Sequence, residues 1–87
     1  MKEAIIKIVY DVLKPREVPL YQLATLLADT RNIYQVTVDV IEVDAKTETV
    51  KLTVVGANLD INEVLKLLEE LGCSVRSIDS VSVKKAQ

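Results

Sequence analysis

Residues 59–72, LDINEVLKLLEELG, mark a helix at both ends, and this punctuation constrains the fold more than any other stretch of the chain. Asp60 is placed to accept bonds from the first free N–H groups, and Glu63, three residues on, to reach back in a capping box. Leu59 and Val64 occupy the two staple positions around the cap. Ile61, Val64, Leu65, Leu68 and Leu71 recur at helical spacing and predict one buried stripe, and Gly72 supplies the left-handed residue that stops the helix. A helix with a single apolar stripe needs a second layer to bury it.

The rest of the chain supplies that layer. From Glu3 to Leu13 the residues alternate, with Ile6, Ile8, Tyr10 and Val12 on one face and Ile5, Lys7, Val9, Asp11 and Leu13 on the other. KPREVP then reads as a loop, with Pro19 suited to a first helical position. Leu20, Leu23, Ala24, Leu27 and Ala28 predict a helix reaching about Arg31. Ile33 to Val43 is a second strand with Val36, Val38 and Val40 on one face. The adjacent Val40 and Ile41 break its alternation, which predicts either a bulge or a strand covered on both faces. Thr49 to Ala57 is a third strand with Val50, Leu52 and Val54 inward. Ser74 to about Val83 is a fourth, followed by a short KKAQ tail. The order β-α-β-β-α-β is met most economically by an α+β, ferredoxin-like two-layer sandwich. Its antiparallel sheet has order 4-1-3-2, with two helices on one face and a single domain over residues 1–87.

Composition removes several functional classes. The 87 residues are 49% apolar with two Gly and two Pro, which excludes extensive disorder. A net charge of -2 argues against a nucleic-acid binder. The chain has no His, Trp or Phe, so it lacks the usual neutral-pH base, the commonest transition-metal ligand and most base-stacking platforms. The one cysteine, Cys73, cannot form an internal disulfide and points to a reducing compartment. No apolar run reaches the roughly 18 residues needed to span a bilayer. These features together predict a cytoplasmic protein with no membrane or nucleic-acid partner.

By alternation, the sheet face opposite the helices receives Ile5, Val9, Leu13, Ile41, Val43, Val55 and Ile78, interspersed with Lys7, Asp11, Asp39, Lys51, Thr53 and Arg76. A solvated face is expected to be mostly polar. Strand propensity alone accounts for some β-branched residues there. A small core gains from covering a second face, however, so this set is read as a self-association surface. At one end of the sheet VIEVDAKTE, residues 40–48, gathers Glu42, Asp44 and Glu48. A calcium loop would need a Gly at the turn and an oxygen ligand where Lys46 stands. Asp44-Ala-Lys-Thr reads instead as a type I turn. Asp11 ends the first strand at the same end of the sheet, where Lys14, Arg16 and Lys46 also lie. The acids there are therefore read first as partners in surface ion pairs and second as ligands for a hard cation.

Asp11-Val-Leu-Lys-Pro15, Glu42-Val-Asp44 with Thr47-Glu48, Glu69-Glu-Leu-Gly72 and Ser77-Ile-Asp79 together resemble an archaeal family, domain-of-unknown-function family 211. The resemblance runs over nearly the whole chain. It implies a ferredoxin-like fold, a closed ring-like homo-oligomer and no established activity. It also implies acidic positions for a divalent cation such as Ca²⁺ or Mg²⁺, which map onto Asp11, Glu42, Asp44 and Asp79. The family pattern has an acidic residue after the SID motif, where this chain has Ser80; that departure counts against a ligand role in the last strand.

The expected function is a self-assembling, non-enzymatic module with a cation or small-ligand site at acidic strand ends. The alternative is a regulatory module that binds a small molecule such as an amino acid, as ACT domains of this topology do. KPREVP lacks the glycine such a site usually uses. Enzymatic readings fare worse. There is no phosphate-cradling loop of the acylphosphatase kind and no Cys-x-x-Cys, and Cys73 reads as a small buried hydrophobe. The central strands carry none of the aromatics of RNA-recognition domains.

Overall fold

Alternation along four segments produces the sheet in the computed structural model, which describes residues 2–85. The elements are β1 (Glu3–Pro15), α1 (Leu20–Ala28), β2 (Ile33–Val43), β3 (Thr47–Gly56), α2 (Ile61–Glu70) and β4 (Ser74–Lys85). The four strands pair antiparallel in the order β2-β3-β1-β4, which read from the other edge is 4-1-3-2. Ile8, Tyr10 and Val12 of β1 and Val50, Leu52 and Val54 of β3 are buried against Leu23 and Leu27 of α1 and Val64 and Leu68 of α2. Both helices therefore cover one face of the sheet, and the fold is the ferredoxin-like α+β sandwich.

Local chemistry fixes the helix ends. Asp60 Oδ1 accepts from the backbone N–H groups of Asn62 at 3.0 Å and Glu63 at 3.3 Å, so the cap forms. No return bond from the Glu63 side chain forms among the described residues, leaving half of the capping box. Leu59 and Val64 are both buried, as the staple requires. Gly72 has φ 79°, in the left-handed region. Pro19 stands one residue before α1 rather than within it. α1 stops at Ala28, short of Arg31, because Asp29 caps it and the chain turns tightly through Thr30, whose N–H bonds to Leu27 O. β4 runs further than expected and takes in Lys84 and Lys85; the rest of the KKAQ tail lies outside the described residues.

The layers differ in length, and this shapes the surface. Helices of nine and ten residues, at about 1.5 Å per residue, span roughly 14–15 Å. Strands of 10 to 13 residues, at about 3.3 Å each, span roughly 33–43 Å. The longest dimension is 48 Å, so the sheet extends well past its helical cover.

Bulges correct the face assignments made from unbroken alternation. Ile41 is an extra residue in β2, since Val40 pairs with Val50 while Glu42 pairs with Thr49. Of the two explanations for the break at Val40–Ile41, the bulge is the one realised. Beyond it Val43 pairs with Glu48, on the helix-covered face, and not on the open one. In β1 the extra residue is Ile6, so Ile5 pairs with Val83 and packs against the buried cluster. In β4 the extra residues are Arg76 and Asp79, which set Ile78 opposite Tyr10 on the helix side. A bulge inserts one residue into a two-residue period, so each one reverses the face of everything beyond it.

Lys14 was expected at the surface and is instead 1% exposed. Its ammonium donates to Pro15 O and Val18 O and pairs with Glu48 Oε1 at 2.9 Å. The connection from β1 to α1 is bounded by Pro15 and Pro19, which have no N–H to give, and Lys14 supplies donors that it lacks.

Candidate functional site

The open face of the sheet carries a shallow depression of about 530 Å³ in which Lys7, Asp11, Lys51 and Asp79 surround Val9 and Ile41. Strand pairing dictates this checkerboard. Lys51 is the Cα partner of Asp11 on one side and of Asp39 on the other, so opposite charges alternate across three strands. Ser77 Oγ donates to Asp79 Oδ1 at 2.7 Å and holds that carboxylate in place. Arg76 reaches across β1 to donate to Thr49 Oγ1 at 3.4 Å. Two ammonium and two carboxylate groups over an apolar floor can hold a small zwitterion, with its carboxylate toward the lysines and its ammonium toward the aspartates.

The structure does not bring the four candidate cation ligands together. Asp11 and Asp79 line the depression, with Lys7 and Lys51 also on its walls. Glu42 lies level with Thr49 beyond the Ile41 bulge. Asp44 belongs to the hairpin, where its N–H donates to Thr47 O at 2.8 Å. Arg16 binds that hairpin through Lys46 O and Ala45 O. Among the described residues no three acidic or thiol side chains are grouped to hold a metal ion. The ion pairs expected of the end-of-sheet acids reduce, among the described residues, to Lys14–Glu48.

The apolar residues left on the open face are Val9, Leu13, Ile41 and Val55, and of these only Ile41 is fully exposed, at 64%. Val9 is buried by its neighbours. The face is thus largely the polar surface of an ordinary half-covered sheet. Exposed apolar side chains gather instead on the two outer strands: Val40 and Val43 on β2, and Ile78, Val81 and Val83 on β4. All five register with helix-side residues of the inner strands but lie outside the helical cover. Sequence reading missed Val40, Val81 and Val83 as surface residues. The available signal was the mismatch between helices of about ten residues and strands of similar or greater residue count, which are more than twice as long.

Two buried groups in the interior, Cys73 and Tyr10, are shifted toward their protonated forms. Cys73 is buried, and desolvation raises its thiol pKa despite the opposing pull of Lys14. Tyr10 is fully buried, and its hydroxyl has no hydrogen-bond partner among the described residues. Burial, with a smaller push from the Asp60 charge, raises its pKa from 10.0 to about 12. The folded chain therefore holds this proton more tightly than the unfolded chain. The associated stability is complete below pH 10 and falls by about 2–3 kcal/mol as pH rises toward 12. Tyr10→Phe is expected to abolish that alkaline loss. At pH 7 it is expected to be neutral or stabilising by about 1 kcal/mol, because an unsatisfied buried hydroxyl is removed. Denaturant unfolding of both proteins at neutral pH and near pH 11 checks this.

No helix among the described residues is long and apolar enough to cross a membrane. A family model described as uncharacterised ArCR, domain of unknown function 211, matches residues 6–86. An uncharacterised protein of Methanocaldococcus jannaschii is 42% identical over 79 residues, covering 91% of this chain and 81% of its own length.

Proposed function

The chain belongs to domain-of-unknown-function family 211, and we propose that it acts as a self-assembling, non-enzymatic module whose copies form a ring-like homo-oligomer. The observation that carries this reading is the exposure of Val40 (40%), Val43 (53%), Ile78 (41%), Val81 (43%) and Val83 (54%) along both outer strands. Scattered apolar residues are normal on a surface, but runs along two unpaired strand edges are a liability unless something covers them. The absence of histidine and the burial of Cys73 support a non-catalytic role in the cytoplasm. A divalent cation such as Ca²⁺ or Mg²⁺ enters this reading only through acids contributed by two copies, since among the described residues one chain does not gather three.

Mass in solution, measured by light scattering with and without EDTA, tests the proposal. The expected result is a multiple of 9.7 kDa that EDTA leaves unchanged, because apolar contacts carry the association. A fall to 9.7 kDa on chelation would assign the association to a metal, and 9.7 kDa at every concentration would refute assembly altogether.

The open-face depression favours a second reading, an ACT-like module that binds a free amino acid. A raised melting temperature with one amino acid, growing as RT ln(1 + [L]/Kd), supports it. That shift should vanish in Lys51→Met and Asp11→Asn.

A further inference from the structure

We propose that copies of this chain join edge to edge, β2 of one against β4 of the next, so that one sheet continues through the assembly. This rests on the self-association reading above and specifies its contact. β2 and β4 are the two outer strands of the sheet, so each presents a row of backbone N–H and C=O groups without a strand partner among the described residues. They are long, at 11 and 12 residues. Each neighbouring pair in the sheet is antiparallel, so across three such steps β2 and β4 run in opposite directions. A second copy set beside the first in the same orientation therefore offers β4 antiparallel to β2, with its helices on the same side.

A symmetric pairing, β2 with β2 or β4 with β4, would also be antiparallel, and charge decides between the two arrangements. β2 carries Asp39 and Glu42 and no cation, whereas β4 carries Arg76, Lys84 and Lys85 against the single Asp79. Pairing β2 with itself sets carboxylates against carboxylates, and pairing β4 with itself gathers the cations. Pairing β2 with β4 sets an acidic edge against a basic one. The exposed side chains agree. Val40 and Val43 on β2 and Ile78, Val81 and Val83 on β4 lie on the same face but toward opposite ends of the sheet, Val40 level with Val12 of β1 and Val83 with Ile5. The copies are therefore offset along the strands. Setting Val40 opposite Val83 joins the apolar groups across the seam and brings Asp39 opposite Lys84. A contact between two different surfaces propagates from copy to copy and closes into a ring when the rotation permits.

Two variants test the arrangement. Val40→Lys/Val43→Lys alters the β2 edge, and Val81→Lys/Val83→Lys alters the β4 edge. All four positions are exposed in the single chain, so the fold is retained, and far-ultraviolet circular dichroism verifies that. Lysine on both edges makes the altered edges repel one another. Each variant alone is expected at the single-chain mass, and their equimolar mixture at twice that mass, because one intact β2 then meets one intact β4. If one variant keeps the wild-type mass, the contact is symmetric through the other edge and the proposal fails. If both keep it, the contact lies elsewhere and edge pairing fails while self-association stands. A wild-type protein of single-chain mass would overturn both.

Discussion

Replacing Lys14 with alanine is expected to lower the unfolding free energy by about 3 kcal/mol, the low end of the range for breaking a buried ion pair by removing one partner. Two contributions add. Glu48 loses the ammonium 2.9 Å away while its side chain stays 19% exposed, which is too little for water to replace the partner fully and enough to keep the loss off the upper end of the range. Pro15 O and Val18 O lose a donor at the same time. Lys14→Met keeps most of the packed stem and isolates the charge effect, so a smaller loss is expected. The double variant Lys14→Met/Glu48→Leu should recover much of it, because an ion pair replaced as a unit by apolar groups leaves no buried charge alone. Denaturant melts at one fixed protein concentration measure the series, since association would shift the midpoint by mass action. A loss below about 0.5 kcal/mol for Lys14→Ala would mean that the pair behaves as a surface ion pair, contrary to its burial.

The same residue shows where the sequence stops being informative. Lys14 ends a strand beside a proline, among charged neighbours, and nothing in its immediate context signals burial. Its environment comes from Glu48 and Val18, far away along the chain or around a loop. Element type was legible because it is written locally: the Asp60 cap, the Gly72 stop and the alternation of β1 and β3 each need only a few consecutive residues. The face of each outer-strand side chain was not. Alternation carries across a strand only while no extra residue intervenes, and the bulges at Ile6 and Ile41 show only as adjacent apolar pairs, Ile5-Ile6 and Val40-Ile41. Those at Arg76 and Asp79 show only as spacings of three between Val75, Ile78 and Val81, which do not say where the extra residues sit. Unbroken alternation therefore puts Ile5, Val43 and Ile78 on the open face, whereas the bulges turn each of them to the helix side. The acidic candidates fared similarly. Asp11 and Asp79 do share one depression, but Lys7 and Lys51 share it too, and strand pairing that places opposite charges side by side cannot be read from one strand alone.

Gly56→Ala is the other substitution expected to cost about 3 kcal/mol or more, here through steric conflict. A Cβ at that position would stand 1.9 Å from Asn32 O and 2.8 Å from Leu59 Cδ2. The leucine tip can move, but the oxygen cannot easily do so. It accepts from Ala57 N at 2.9 Å, and Asn32 is already held at φ 73°. Relieving the clash therefore means opening the junction between the start of β2 and the end of β3, where Ile33 pairs with Gly56. The gain from restricting the unfolded chain, about 0.4–1 kcal/mol for Gly→Ala, is too small to compensate. Gly72→Ala is the control. Its φ of 79° makes alanine strained, but the nearest atom to the added Cβ is Pro15 Cγ at 3.7 Å, so only the backbone penalty of about 1–2 kcal/mol applies. The two glycines should therefore rank with Gly56 the less replaceable, although Gly72 has the more unusual backbone. Equal losses in thermal melts would mean that β2 shifts freely relative to β3. An outer strand that loosely held could not fix the register of an edge contact, so the same measurement bears on how copies of the chain could join.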